Sequence, residues 1–366
     1  MFQRGTSALV GALVILSFMT GHAGVAAEYA PQENEFASAV VMRPDGKLLY
    51  GFKPDAPHTA ASLSKLVTAL VFLDKSWNWG TAVKMSSADE VGGGRLRVTA
   101  GSRVILADLW QSSLGSSANN ATMAIARLAG PGISAFVNKM NAKVKAIGAT
   151  SSTFRDPSGM NPKNTTTAHD MALIARNAFK QPKVVSASQS GTYTFTLAGS
   201  TNTHTIKNTN APMLADPDVY LVGGKTGYLP ESMYNYTAML SPLVGDGKSR
   251  DAKKDVVVVV LGAKSTQGAM DSAKRLAEWA WADEDHFKQM SQYPVPMRSL
   301  YFGLSGDDVR WVQERLDIKP INGNFGPSTK AAVQKFQVAQ GLAKAGNSGY
   351  GVVGPATRSK LIELAP

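Results

Sequence analysis

The chain has 366 residues, 44% of them hydrophobic and 18% charged, with a formal net charge of +11. That length suggests two or perhaps three domains of ordinary globular material. With no cysteine, disulfides, thiol catalysis, thiolate metal sites and a lipid anchor on an N-terminal cysteine are all excluded.

The basic balance favours anionic partners: nucleic acid, a membrane surface or an acidic wall polymer. No arginine-rich cluster, zinc-finger spacing or aromatic-basic stripe is present, so nucleic acid is not expected. His22, His58, His169, His204 and His286 never stand three or four apart, so no helical metal motif exists, and neither metal nor cofactor is expected. Each histidine reads as a surface or capping residue.

Residues 1–27 read as a signal peptide. Arg4 supplies the positive start, Ala8 to Met19 is an apolar run too short to span a bilayer comfortably, and Val25-Ala26-Ala27 precedes a cut at Glu28. An uncleaved anchor is the alternative, although no stable transmembrane anchor is expected. Either way the chain is exported, to the periplasm or cell envelope.

A domain over 28–288 follows. Phe36 to Met42 and Lys47 to Phe52 read as strands joined by a turn at Pro44-Asp45-Gly46. Ala61 to Ala69 begins a helix. Ser62 stands at its entry, as a capping residue would, and Leu63, Leu66, Val67 and Leu70 repeat at helical spacing. Ser62 and Lys65 are three apart and share a face, so an amine lies within reach of a hydroxyl. A hydroxyl is a poor nucleophile until a base takes its proton. Ser64 is the rival, but Val67 stands where its amine would be.

Gly92-Gly93-Gly94 reads as a flexible loop, because no phosphate-binding frame follows it. Leu106 to Leu114 and Ala121 to Leu128 read as helices. Ser117 and Asn119 sit on the break between them, where both could face one cavity or could cap the second helix. Ile133 to Ile147 is helical, and Phe154 to Gly159 is a turn. Thr167 to Asp170 fits a capping box that Asp170 completes. Tyr193 to Leu197 and Thr203 to Ile206 alternate like strands. In Tyr220 to Tyr228, glycines flank Lys225-Thr226. This strand could accept a ligand peptide as an added strand, or be a bulged edge strand. Asp255 to Gly262 is β-branched throughout, hence a buried central strand, and Thr266 to Trp281 is a closing helix. Strands at both ends with helices between make an α+β sandwich.

Prolines at 294 and 296 mark a linker over 289–297. Residues 298–366 then form a small three-helix domain. It carries a repeat, Gly323-Asn324-Phe325-Gly326-Pro327-Ser328-Thr329 and Gly351-Val352-Val353-Gly354-Pro355-Ala356-Thr357.

Three motifs thus stand in order: Ser62-x-x-Lys65, Ser117-x-Asn119 and Lys225-Thr226-Gly227. This set resembles that of penicillin-binding proteins and class A β-lactamases. Together with Phe154 to Met160, Thr167 to Ala172 and Asn208-Thr209-Asn210, the chain from Phe36 to Trp281 resembles the low-molecular-weight serine D-alanyl-D-alanine carboxypeptidases. The C-terminal domain, through Gly306-Asp307-Asp308-Val309 and Gly326-Pro327-Ser328-Thr329, resembles peptidoglycan-binding modules.

The resemblance implies a β-lactamase/transpeptidase-like fold, an antiparallel sheet flanked by helices. It implies removal of the terminal D-alanine from peptidoglycan stem pentapeptides through an acyl-serine, with β-lactams as covalent inhibitors. Ser62 is then the nucleophile, Lys65 its base and Ser117 a proton shuttle. Asn119 holds the substrate amide, and Lys225 and Thr226 face its carboxylate. Gly227 and Tyr228 complete the binding strand, and the amides of Ser62 and Tyr228 form the oxyanion hole. Leu229 to Asn235 lacks the family's small-residue pair, which leaves acceptor specificity open. A DD-endopeptidase would use the same site. A class A β-lactamase needs a deacylating glutamate, and no glutamate occurs between Asn119 and Lys225. A non-catalytic wall-binding protein is the remaining alternative.

Overall fold

The structure, a computed structural model, describes residues 35–245, 247, 249–282, 293, 296 and 298–364. The expected signal peptide at 1–27 and most of the expected linker at 289–297 lie outside the described residues.

In chain order, β1 (Ser38–Met42) and β2 (Leu48–Phe52) form the expected hairpin. Then come β3 (His58–Thr59), a 3-10 turn (Ala61–Leu63) and α1 (Ser64–Phe72). Strands β4 (Ala82–Lys84) and β5 (Arg103–Ile105) pair ahead of α2 (Leu106–Leu114), α3 (Asn119–Leu128) and α4 (Ile133–Ala146). Strand β6 (Thr165–Thr166) pairs with β3 and leads into α5 (Ala168–Ala178) and α6 (Pro182–Gln189). A hairpin of β7 (Thr192–Thr196) and β8 (Thr203–Lys207) precedes the short α7 (Ala211–Leu214). The chain then returns to the sheet through β9 (Val219–Leu229), β10 (Met233–Val244), β11 (Ser249–Arg250) and β12 (Val256–Ala263), and closes with α8 (Thr266–Ala282).

The main sheet is antiparallel, running β10-β12-β1-β2, with β9 along the outer edge of β10 and β11 pairing beyond it at Leu243 and Val244. The β-branched run of β12 is explained by burial on both faces. Val257, Val259 and Leu261 face the helical side, while Val256, Val258 and Val260 face α8. Helix α8 meets them with Ala269, Met270, Ala273, Leu276 and Ala277. Sheet and helices therefore form the α+β architecture expected from the sequence.

Three local expectations are corrected. Ser62 caps nothing: α1 starts at Ser64, and its N-cap Leu63 makes no side-chain cap bond. The Ser64 hydroxyl instead donates to Ala61 O (2.7 Å) and accepts from Asn164 Nδ2 (2.9 Å). At α5, Thr167 does accept from Asp170 N (3.0 Å), but Asp170 completes no capping box; its carboxylate accepts from Ser152 Oγ at 2.8 Å. His169 is neither at the surface nor a cap. It is 2% exposed and faces Asp55 at 3.3 Å.

The C-terminal domain holds α9 (Asp307–Arg315), α10 (Pro327–Ala339) and α11 (Pro355–Glu363). Its sequence repeat has a physical basis. Gln313 donates to Asn324 O (3.0 Å) and Thr329 Oγ1 (3.1 Å) and accepts from Gly323 N (2.8 Å). Gln337 donates to Val352 O (2.9 Å) and Thr357 Oγ1 (2.9 Å) and accepts from Gly351 N (2.7 Å). Each buried glutamine thus satisfies the backbone of one glycine-to-threonine turn.

Candidate active site

Ser62 stands in the 3-10 turn just before α1. Ala61, the residue before it, has φ +49°, a left-handed conformation that costs a non-glycine residue energy. Two glycines press on this backbone. A Cβ on Gly159 would come within 2.0 Å of Ala61 O, and one on Gly227 would sit 3.3 Å from Ser62 N. The turn after α4 and the edge strand β9 thereby clasp the serine from two sides.

Lys65 lies one helical turn on and is fully buried. Its Nζ donates to Ser62 Oγ (2.9 Å), Asn119 Oδ1 (2.7 Å) and Ser158 O (2.5 Å). Burial pushes the ammonium down to about 7, opposed by the charge of Asp156. Asp156 is the carboxylate that favours the charged amine, while Lys65 and Lys225 are two buried cations that repel each other. Asp156 anchors the turn that presents Ser158. One oxygen accepts from the amides of Ser158 (2.9 Å) and Gly159 (3.1 Å), the other from Asn161 N and Asn164 Nδ2 (3.0 Å each).

Ser117 occupies the break between α2 and α3 with φ +59°, and its Oγ accepts from Lys225 Nζ at 2.8 Å. Lys225 also donates to Thr226 O (2.9 Å) and is wholly buried. Burial, and next the charge of Lys65, hold its ammonium well below the usual lysine range. Thr226 Oγ1 donates to Thr209 Oγ1 (2.8 Å). Asn119 opens α3, and both ends of its amide are engaged: Oδ1 by Lys65 and Nδ2 with Gly92 O (2.8 Å). Tyr228 is exposed, and its ring stacks on Tyr234 with centroids 4.4 Å apart.

A cleft of about 400 Å³ opens over Ser62, Ser117, Asn119, Thr226, Gly227 and Tyr228. All eight site residues chosen from the sequence therefore meet in one place, with Lys65 and Lys225 beneath the cleft floor. The cleft is also lined by Gly93, Gly94, Met160, Thr209, Leu229, Pro230 and Thr266, which sequence reasoning did not assign to the site. The glycine triplet is no free loop: Asn119 N donates to Gly94 O at 2.7 Å. Thr209 lay in the Asn208-Thr209-Asn210 stretch already singled out, whereas Thr266 carried no sequence signal. No charged side chain lines the cleft among the described residues.

A serine hydroxyl bonded to a buried lysine, on an antiparallel sheet with helices on both faces, places the protein among the penicillin-binding-type serine enzymes. The chain belongs to the peptidase S11 family of D-alanyl-D-alanine carboxypeptidases, whose profile matches residues 25–265. A second profile, a putative peptidoglycan binding domain, matches residues 305–361. The chain is 28% identical to a D-alanyl-D-alanine endopeptidase of Escherichia coli, over 70% of this chain and 81% of that protein. It is 26% identical to a D-alanyl-D-alanine carboxypeptidase of Bacillus subtilis, over 73% of this chain and 66% of the relative. The solved D-alanyl-D-alanine carboxypeptidase of Mycobacterium tuberculosis superposes with a TM-score of 0.60 at 26% identity, covering 70% of this chain and 95% of that one.

Proposed function

We propose that the protein is a serine DD-peptidase of peptidoglycan that removes the terminal D-alanine from stem pentapeptides through an acyl-serine intermediate. The observation that carries this is the triple coordination of Lys65. As a neutral amine it keeps two N–H groups, which Asn119 Oδ1 and Ser158 O accept. The lone pair is then left pointing along the third contact, at Ser62 Oγ. A lysine near 7 is also neutral often enough to work as a base at neutral pH.

Ser62 Oγ attacks the carbonyl of the penultimate D-alanine and passes its proton to Lys65 Nζ. The developing oxyanion is met by the amides of Ser62 and Tyr228. The C–N bond breaks, and the proton taken by Lys65 passes through Ser117 Oγ, which Lys225 holds, to the leaving amine, so that Lys65 is neutral again. Water then attacks the ester, gives a proton to Lys65, and Ser62 is released with its hydroxyl restored. Thr226 and Thr209 offer hydroxyls to the substrate carboxylate, with Lys225 behind them rather than in direct contact. Asn119 acts mainly by orienting Lys65, and Tyr228 by walling the cleft.

A β-lactam enters the same acylation. Among the described residues no glutamate or aspartate lines the cleft to activate a deacylating water, so the acyl-enzyme persists. The C-terminal module binds the wall polymer, and the chain is exported behind a signal peptide to the cell envelope.

The second reading is a DD-endopeptidase that cuts cross-links, favoured by the relative of that name matched over 81% of its length. Digestion of pentapeptide muropeptides and cross-linked dimers separates the two. The carboxypeptidase reading expects free D-alanine from pentapeptides, whereas dimers resolved without free D-alanine would support the endopeptidase. Cleavage of neither, with no penicillin label on the intact protein, would sink both.

A further inference from the structure

Asp55, in the turn between β2 and β3, is a buried carboxylate in the peptidase domain, with its side chain 3% exposed. Its principal partner lies 303 residues away in the other domain. Arg358 of α11 forks onto it, with Nη2 to Oδ1 at 2.6 Å and Nε to Oδ2 at 3.1 Å. Ser359 Oγ adds a bond at 3.0 Å, and Arg358 Nη1 donates to Pro296 O at 3.0 Å. From the peptidase side, His169 Nδ1 stands 3.3 Å from the same carboxylate. The Arg358 side chain is itself 5% exposed, so the pair is shut away from water.

Apolar packing runs alongside. Leu300, Trp311, Val353 and Leu361 of the module belong to one continuous core with Val40, Met42 and Leu48 of the peptidase. A Cβ on Gly51 would sit 3.2 Å from Ile362 Cγ2, so β2 and α11 touch without a gap.

Exposed ion pairs hold little together, but a buried, bidentate pair behaves differently. Charges this deep are tolerated only when both partners and their geometry are in place, so the pair selects one docked pose over nearby ones. A module swinging on a linker would leave both charges in water and needs no such fork.

We propose that the wall-binding module is clamped to the peptidase domain through Asp55 and Arg358, so that the peptidoglycan strand it grips is presented at a fixed position relative to the Ser62 cleft. This rests on the wall-binding and DD-peptidase readings above. A fixed module favours those stem peptides on the gripped strand that fall at the cleft, as matched geometry raises effective concentration.

The test uses the full chain, which has no cysteine of its own. A Cβ on Gly51 lies 3.2 Å from Ile362 Cγ2, so Gly51→Cys with Ile362→Cys brings two thiol side chains into contact across the docked face. Under mild oxidation the pair is expected to close almost completely, and adding Arg358→Glu is expected to prevent most of that closure. Arg358→Glu alone, checked for folding by penicillin labelling, is expected to cleave soluble pentapeptide at the wild-type rate. It should bind insoluble wall normally yet digest that wall about tenfold more slowly. Locking Arg358→Glu with the disulfide should restore the wall rate. Thiols that stay reduced and accessible in the otherwise wild-type chain would overturn the clamp. A wall rate unchanged by Arg358→Glu would overturn its role in presentation. Failure of the DD-peptidase reading shows separately, as no cleavage of soluble pentapeptide by wild type, while the crosslinking result still stands.

Discussion

Gly159→Ala is the substitution that most sharply tests how the site is held. Gly159 has φ +91°, and a Cβ there would lie 2.0 Å from Ala61 O and 2.8 Å from Ser62 N. Both clashes are with backbone, so no side chain can swing away. Contacts under 3.0 Å are essentially never seen, so the turn must retreat by at least 1.0 Å from the nucleophile's own peptide. That turn carries Ser158 O, the 2.5 Å acceptor for Lys65. A misplacement of about 1 Å costs roughly 100-fold in rate, or about 2.7 kcal/mol of transition-state stabilisation. Left-handed alanine adds a stability cost of about 1–2 kcal/mol. Gly101→Ala is the control, with φ +93° and nothing within 4 Å. The assay is the second-order rate of acylation by a fluorescent penicillin, with Tm measured beside it. Both variants are expected to lose stability, but only Gly159→Ala should lose acylation. A Gly159→Ala rate within about threefold of wild type would refute the claim that this contact sets the geometry.

Other outcomes follow from the same geometry. The neutral form of Lys65 is the reactive one, so the acylation rate should rise with pH through about 7 and then level off; a limb near the ordinary lysine value would contradict a depressed base. Asp156 favours the charged amine, so Asp156→Asn should move that limb to lower pH, beyond any loss of rate from loosening the turn. Because Lys65 titrates at about 7 folded and near 10.5 unfolded, the unfolded chain binds more protons between those values, and stability should climb over that range. Melting curves should show less of this climb in Lys65→Met than in wild type. Ser117→Ala should slow acylation by about 10²–10⁴-fold and cost about 1–3 kcal/mol of stability, because Lys225 Nζ loses its Ser117 acceptor; equal rates would remove Ser117 from the proton path.

The sequence made some of this legible and hid the rest for physical reasons. Ser62 and Lys65 were readable because helical spacing alone brings i and i+3 together. Strand β12 was readable because burial on both faces demands a β-branched run. Strand β10 was missed for the opposite reason. Tyr236, Ala238 and Leu240 face α8 while Met239 faces the helical core, so both faces are buried, yet the run mixes in Asn235, Thr237, Ser241 and Pro242. Neither alternation nor a clean apolar block survives. The clamp at Asp55 was invisible because its partner is 303 residues distant, and nothing local marks a carboxylate destined for burial. Asp156 read as a turn residue, which it is; that the turn delivers an acceptor to Lys65 is set by tertiary packing. Ser62 looked like a helix cap because serines so often are, but its hydroxyl is engaged by Lys65 instead.

The central claim is that Ser62 is the nucleophile of a slowly deacylating acyl-enzyme. Mass spectrometry of the intact protein after penicillin, followed by peptide mapping, tests it directly. The expected result is one added penicilloyl group, placed on the peptide containing Ser62, persisting for many minutes and absent in Ser62→Ala. No adduct, an adduct on Ser64 or elsewhere, or rapid release as penicilloic acid would contradict it.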